Sequence, residues 1–294
     1  MGVGVWEFLG PALIRVRQNC EYVLRFRKGK VSDYMQINLD SLPLRFLSAL
    51  VLVGASYYGG KRIEVSGLIG WSRDNALIPN LPGSDSARRE RLWTEKAIGM
   101  AAILQLMYMA SEIHNWISDV EGNSVLSTAY DEQTPHFPVL FGDYLYGKLL
   151  KLLCEIDCTD RVQALAGIIC EMNVGAVIRK EVLEANERDL ETAVEVLEKE
   201  YGNLFAEAGR TGVLLAGGTY VEADRLGHFG GLLGMIIGAI ERNMDPQTIE
   251  NLRREAMKTL IFLPEGWLRD AAQEFLREMV SGIGQGRLAA ASGA

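Results

Sequence analysis

Apolar positions recur every three or four residues along most of the chain, the spacing that gathers side chains on one face of an α-helix. Trp6, Leu9, Leu13, Val16 and Cys20 keep that register, with Arg15, Arg17 and Arg25 between them, and predict a helix over Val5–Phe26. Leu42–Tyr58 is apolar on nearly every side and stops at Gly59-Gly60. Gly67, Gly70, Pro79, Pro82 and Gly83 then break the pattern and predict an irregular insertion at about 61–84. Ser84 or Asp85 can cap a long helix from about Ala87 to Trp116. Further helices are predicted over His136–Ile156, Asp160–Asn186, Asp189–Gly217, Glu222–Asn243, Pro246–Phe262 and Pro264–Val280, the last two opening on a first-turn proline. No strand alternation or solenoid repeat interrupts them. The expectation is one all-α domain of about ten helices over 1–281, followed by a flexible Gly/Ala/Ser-rich tail at 282–294.

Composition narrows the function classes. A net charge of −8, with no long Lys/Arg-dense segment, argues against nucleic-acid binding. Cys20, Cys154, Cys158 and Cys170 are too few and too scattered for a disulfide framework and read as buried reduced thiols. Cys154 and Cys158 would share a helical face, yet no nearby His or Cys pair completes a metal set. The apolar runs Phe46–Ala55 and Gly231–Ile240 are about half the roughly 20 residues a membrane crossing needs, so they read as core helices. No signal peptide is apparent at Met1–Arg15. A cytoplasmic protein without a transmembrane segment follows, with peripheral membrane contact compatible with it. His114, His136 and His228 enter no Ser/His/Asp or H-E-x-x-H arrangement, and the glycines of Gly227–Gly234 predict close helix packing.

Three segments in order carry a likeness. Leu106–Asp119 resembles a pattern reading apolar-x-H-x-A-S-L-x-H-D-D-x-x-D, and Val139-Leu140-Phe141-Gly142-Asp143-Tyr144-Leu145 resembles V-L-A-G-D-Y-L. Glu171-Met172-Asn173-Val174-Gly175 matches E-M-x-x-G, and Glu198–Phe205 is similar to E-K-K-T-A-x-L-F. Phe229–Asp245 is similar to F-G-x-N-L-G-x-A-F-Q-I-x-D-D-x-L-D. Together they resemble the trans-polyprenyl diphosphate synthases over roughly residues 40 to 280. The resemblance implies an isoprenoid synthase-type bundle around a central cavity. It also implies a reaction in which magnesium, held by two D-D-x-x-D motifs, takes up the charge of a departing diphosphate.

Both motifs are degenerate here. The first reads Asn115-Trp116-Ile117-Ser118-Asp119 and keeps only Asp119; the second reads Glu241-Arg242-Asn243-Met244-Asp245 and keeps carboxylates at its ends. On a continuous helix Glu241 and Asp245 would share a face, which makes Asp119, Glu241 and Asp245 the candidate metal ligands. The phosphate-binding segment aligns with Pro43–Ser48 and keeps only Arg45; Arg242 is a second candidate phosphate contact. The cations expected at Leu44 and Leu47 and the Lys-Thr pair expected at Glu200-Tyr201 are missing. Ala110 and Ser111 occupy the position that tunes chain length in the family, and Asp143 reads as a scaffold residue that caps or pairs internally. The expected function is a non-catalytic or regulatory subunit of a heteromeric polyprenyl diphosphate synthase, needing no cofactor and pairing as a homodimer or with a catalytic subunit. The alternatives are a divergent Mg²⁺-dependent enzyme acting on an isoprenyl diphosphate, and an isoprenoid-binding protein without chemistry.

Overall fold

The computed structural model describes residues 4–26, 29–30, 37–60, 85–116, 136–185 and 189–291. The predicted 61–84 insertion and Asp119 lie outside them. Among the described residues ten α-helices form: α1 (Val5–Val23), α2 (Leu42–Tyr58), α3 (Asp85–Trp116), α4 (His136–Glu155), α5 (Val162–Ala185), α6 (Leu190–Leu197), α7 (Asn203–Leu215), α8 (Tyr220–Glu241), α9 (Pro246–Thr259) and α10 (Trp267–Ala291). Their positions follow the apolar periodicity closely. Two short strands, β1 (Arg25–Phe26) and β2 (Gly29–Lys30), pair antiparallel where α1 was expected to run on to Phe26.

Three local departures from the sequence reading matter. Pro264 does not open a helix: the chain turns at Gly266 (φ 94°), and α10 begins at Trp267. The α10 backbone stays helical as far as Ala291, across the stretch whose composition predicted a flexible tail. Cys154 and Cys158 share no helical face, because α4 ends at Glu155 and Asp157 adopts φ 52°. Cys20 and Cys158 are buried thiols as expected, whereas Cys154 and Cys170 are exposed.

The centre is built from α2, α3, α7 and α8, with α1 against α2 and α3, and α4 against α3. The predicted core runs hold: Phe46, Leu47, Leu50 and Leu52 of α2 and Leu233, Ile236 and Ile237 of α8 are fully enclosed. One polar clamp is buried among them. The Gln105 side-chain amide of α3 donates to Leu44 O and Ser48 Oγ, both at 2.8 Å, and its oxygen accepts from the Cys20 thiol at 3.1 Å. Every polar atom of that side chain is thus satisfied, as a buried amide requires.

Helix α7 approaches α2 so closely that a methyl group has no room between them. A Cβ on Gly212 would lie 2.3 Å from the Val51 carbonyl oxygen, an atom of rigid backbone. The Gly212→Ala variant is therefore expected to lose about 1–3 kcal/mol of stability through forced separation of the helices. Gly147→Ala, on α4 with nothing within 4 Å of the new methyl, should be neutral or gain roughly 0.5–1 kcal/mol. Chemical denaturation of the two variants checks the contrast.

Candidate functional site

Helices α6 and α7 form one continuous rod, joined through a π-helical segment at Glu198–Gly202. The wide turn presents two adjacent residues to different neighbours. Glu200 faces α5 and the end of α8, while Tyr201 faces α3 and the body of α8. Both are buried, each about 4% exposed.

A carboxylate so enclosed needs cationic partners, since desolvation of an isolated charge costs far more than the fold can tolerate. Glu200 has two. Arg179 Nε of α5 donates to Oε1 at 3.1 Å, and the Arg242 guanidinium meets Oε2. Arg242 also lies over the Tyr201 ring, 5.4 Å from its centroid. The carboxylate reaches this position because Gly175 of α5 lacks a side chain: a Cβ there would fall 2.9 Å from Glu200 Cγ. Lys199 next door is held by Glu171 at 2.6 Å. Arg242, the second candidate phosphate contact, is thus engaged by Glu200.

Tyr201 fills the space on the other side. Gly238 gives its ring room on α8, where a Cβ would come within 2.6 Å of Tyr201 Cδ2. Tyr108 of α3 lies 6.0 Å away, ring to ring. Both hydroxyls donate to Glu241 Oε2, at 3.0 Å from Tyr108 and 3.2 Å from Tyr201. Burial, and next the negative charge of Glu112 on α3, push the Glu241 carboxyl up to about 7; the two tyrosine hydrogen bonds oppose that rise. Desolvation likewise raises both phenols well above their ordinary value.

The remaining sequence candidates are dispersed. Helix α8 ends at Glu241, Asn243 turns at φ 50°, and Asp245 begins α9 as its N-cap. Glu241 and Asp245 therefore share no helical face, contrary to the expectation from their spacing. Asp245 accepts from Gln247 N and Thr248 N, both at 3.0 Å, and from the Thr248 hydroxyl; bonds from Thr248 hold its carboxyl below the usual range. Arg45 stacks 3.7 Å over Trp6 and pairs with Glu278 at 2.7 Å, which engages it with α1 and α10. Leu44 and Leu47 are core residues. Asn115 and Trp116 end α3, and the Trp116 side chain lies outside the described residues along with Asp119. Among the described residues no group of three His, Cys, Asp or Glu side chains could hold a metal ion.

Ala110 and Ser111 are buried, and beside Tyr108, Met109 and Glu112 lies a small, partly open pocket of about 20 Å³ that Ile37 and Leu44 also line. The retained Gly-Asp pair has a structural partner. A Cβ on Gly142 would strike the His114 ring at 2.4 Å, Asp143 lies 3.5 Å from His114 Nε2, and the imidazole stacks on Tyr146. Sequence reading missed Tyr108, Glu112 and Arg179. The first two stand one turn apart on α3, at the positions of His and Leu in the resembled pattern. That paired substitution was a signal; Arg179 carried none.

No family model matches the chain. It is 22% identical over 134 residues, 45% of its length, to a nonaprenyl diphosphate synthase of Mycobacterium tuberculosis. It is 24% identical over 173 residues, 56% of its length, to an all-trans-nonaprenyl-diphosphate synthase (geranyl-diphosphate specific) of Rhodobacter capsulatus. These matches span 40% and 52% of the relatives, about half their lengths. Among solved structures, a decaprenyl diphosphate synthase from Rhodobacter capsulatus superposes with a TM-score of 0.69 at 14% identity, covering 95% of this chain and 98% of that one. A geranyl diphosphate synthase small subunit from Antirrhinum majus gives 0.62 at 16%, covering 94% and 100%.

Two predictions follow from the site. Glu241 holds its proton more tightly folded, near 7, than unfolded, near the ordinary 4.5. The stability this contributes is complete below about 4.5 and is lost as pH rises toward 7, on the order of 2 kcal/mol after solvent screening. Urea melts across that window should show the decline in the native chain and a flatter profile in Glu241→Gln. Separately, Glu200→Lys sets a third cation between Arg179 and Arg242 and should cost about 3–5 kcal/mol. Adding Arg242→Asp restores an opposite-charge pair of reversed polarity, and denaturation should show most of that loss recovered.

Proposed function

We propose that this chain, whose fold is similar to that of the polyprenyl diphosphate synthases, is a non-catalytic or regulatory subunit of a heteromeric polyprenyl diphosphate synthase. The observation that carries the reading is the buried Arg179–Glu200–Arg242 cluster. Prenyl transfer asks this region to leave cations free for phosphate and carboxylates free for magnesium. Here cation and carboxylate neutralise one another, Glu241 is taken by two tyrosines, and Asp245 by a helix cap.

A partner supplies the second half of the reading. The helical stretch Thr159–Val182, which takes in most of α5, is by length and composition apolar enough to cross a membrane, yet only 17% of its apolar window is buried in the chain. Val174 and Val177 stand exposed on it beside Cys170, and Leu140 and Leu150 stand exposed on α4. Such surface calls for cover, and a catalytic synthase subunit is the cover proposed. The fold-level similarity to the Antirrhinum majus small subunit agrees with that assignment.

Co-expression with an intact synthase carrying both D-D-x-x-D motifs tests it. The two chains should co-purify, the mixture should differ from the catalytic chain in product length or rate, and Val174→Asp/Val177→Asp should separate them. Failure to associate, or association with unchanged products, rejects the subunit role. Turnover of an allylic diphosphate by this chain alone with Mg²⁺, lost in Glu241→Gln, would favour a divergent enzyme. Tight retention of a prenyl chain without partner or turnover would favour a carrier.

A further inference from the structure

The Glu200 carboxylate stands where two arginines from different helices converge. Arg179 Nε of α5 donates to its Oε1 at 3.1 Å, and the Arg242 guanidinium at the end of α8 meets its Oε2. The Glu200 side chain is 4% exposed, whereas those of Arg179 and Arg242 are 18% and 23% exposed. Both arginine side chains thus retain an edge to solvent that the carboxylate lacks. Neighbouring acids have partners of their own: Glu171 holds Lys199 at 2.6 Å, and Glu241 accepts from the hydroxyls of Tyr108 and Tyr201. Two guanidinia aimed at one pair of oxygens is the arrangement by which proteins hold carboxylate and phosphate ligands. Here the chain supplies the oxyanion itself. It comes from the π-helical turn Glu198–Gly202 and fits against α5 because Gly175 has no side chain, a Cβ there falling 2.9 Å from Glu200 Cγ.

We infer that Arg179 and Arg242 frame an oxyanion site that Glu200 fills from within, an autoinhibitory contact that shuts phosphate and diphosphate groups out of this end of the bundle. The inference rests on the subunit reading, which makes a diphosphate the anion to be excluded. Charge sets the sign of the effect. Glu200 cancels one positive charge and takes the donors that face it; without it both guanidinia present donors to the vacated space. Volume sets the size of the probe. Glu200→Ala removes Cγ, Cδ and both carboxylate oxygens, which are the heavy atoms of one acetate ion. Acetate is therefore the matched probe of the vacated space, and inorganic pyrophosphate is the probe of the excluded class.

Calorimetric titration of the purified full chain with sodium pyrophosphate, at constant ionic strength and without Mg²⁺, tests the assignment. Glu200→Ala should bind at least about tenfold more tightly than the native chain. Pyrophosphate and acetate should each raise the melting temperature of Glu200→Ala above that in equivalent chloride, and should leave the native chain unmoved. Adding Arg242→Ala should remove the gain. Glu171→Ala, which discards a half-exposed carboxylate paired with Lys199, should not create one. If Glu200→Ala does not fold, Glu200→Gln keeps the volume, drops the charge and takes the same pyrophosphate titration. Equal binding by the native and Glu200 variant chains, a gain that survives Arg242→Ala, or a gain matched by Glu171→Ala overturns the proposal. Every readout uses this chain alone, whereas the subunit reading stands on co-purification with a catalytic synthase, so the two fail separately.

Discussion

The arrangement of the site depends on one electrostatic constraint: the Glu200 carboxylate is enclosed by protein and must be neutralised where it stands. Arg179 comes to it from α5 and Arg242 from the C-terminal end of α8, so three separate elements are pinned to one oxygen pair. Removing either arginine would leave a buried charge short of compensation, which is the costly direction for such clusters. The cluster also fixes neighbours that carry no charge in it. Gly175 must stay bare to admit Glu200, and Tyr201, the next residue along the π-helical turn, is held under the Arg242 guanidinium. Against the resembled pattern, a carboxylate stands where a lysine is expected and an arginine where an aspartate is expected. An opposite-charge pair is therefore present with its polarity inverted relative to that pattern.

From that inversion the fate of Glu241 follows. With Arg242 committed to Glu200, the cation nearest in sequence is unavailable to Glu241, and the charge beside it is instead the carboxylate of Glu112. Hydroxyls of Tyr108 and Tyr201 supply its hydrogen bonds, and the proton affinity rises because burial and a like charge both disfavour ionisation. A carboxyl that titrates near neutral pH between two phenols is a poor divalent-metal ligand, since binding must first displace its proton and break those bonds.

Much of this fold was legible in the residues. Apolar spacing located the helices, because a helix that packs on one face must repeat every three to four residues, and α2 and α8 were recognisable as core from their nearly continuous apolar runs. The site was legible only in its losses. Spacing put Glu241 and Asp245 on one face on the assumption of an unbroken helix, but Asn243 takes a left-handed turn that no periodicity argument registers. Arg45 kept the identity of a phosphate contact while a ring and a carboxylate from α1 and α10 engaged it; such long-range partners are set by packing, not by local sequence. Arg179 was invisible for the same reason. Cys154 and Cys170 were read as buried from residue type alone, which cannot say which side of a helix is left uncovered.

Close packing and buried charge place different demands on the same helices. Gly142 of α4, which the resembled pattern also has, opens space for His114 of α3, while Gly238 of α8 admits the Tyr201 ring where that pattern has Gln. Those contacts constrain volume and are indifferent to charge. The residues at the resembled pattern's charged positions, Glu200, Arg242, Glu241 and Asp245, are engaged by partners within the chain. Close packing can thus hold a fold in place while its polar interior is rewritten, provided each buried charge acquires a partner in the same step. The Glu200–Arg242 pair meets that condition: each side chain compensates the other's charge beside the close contacts that the glycines allow.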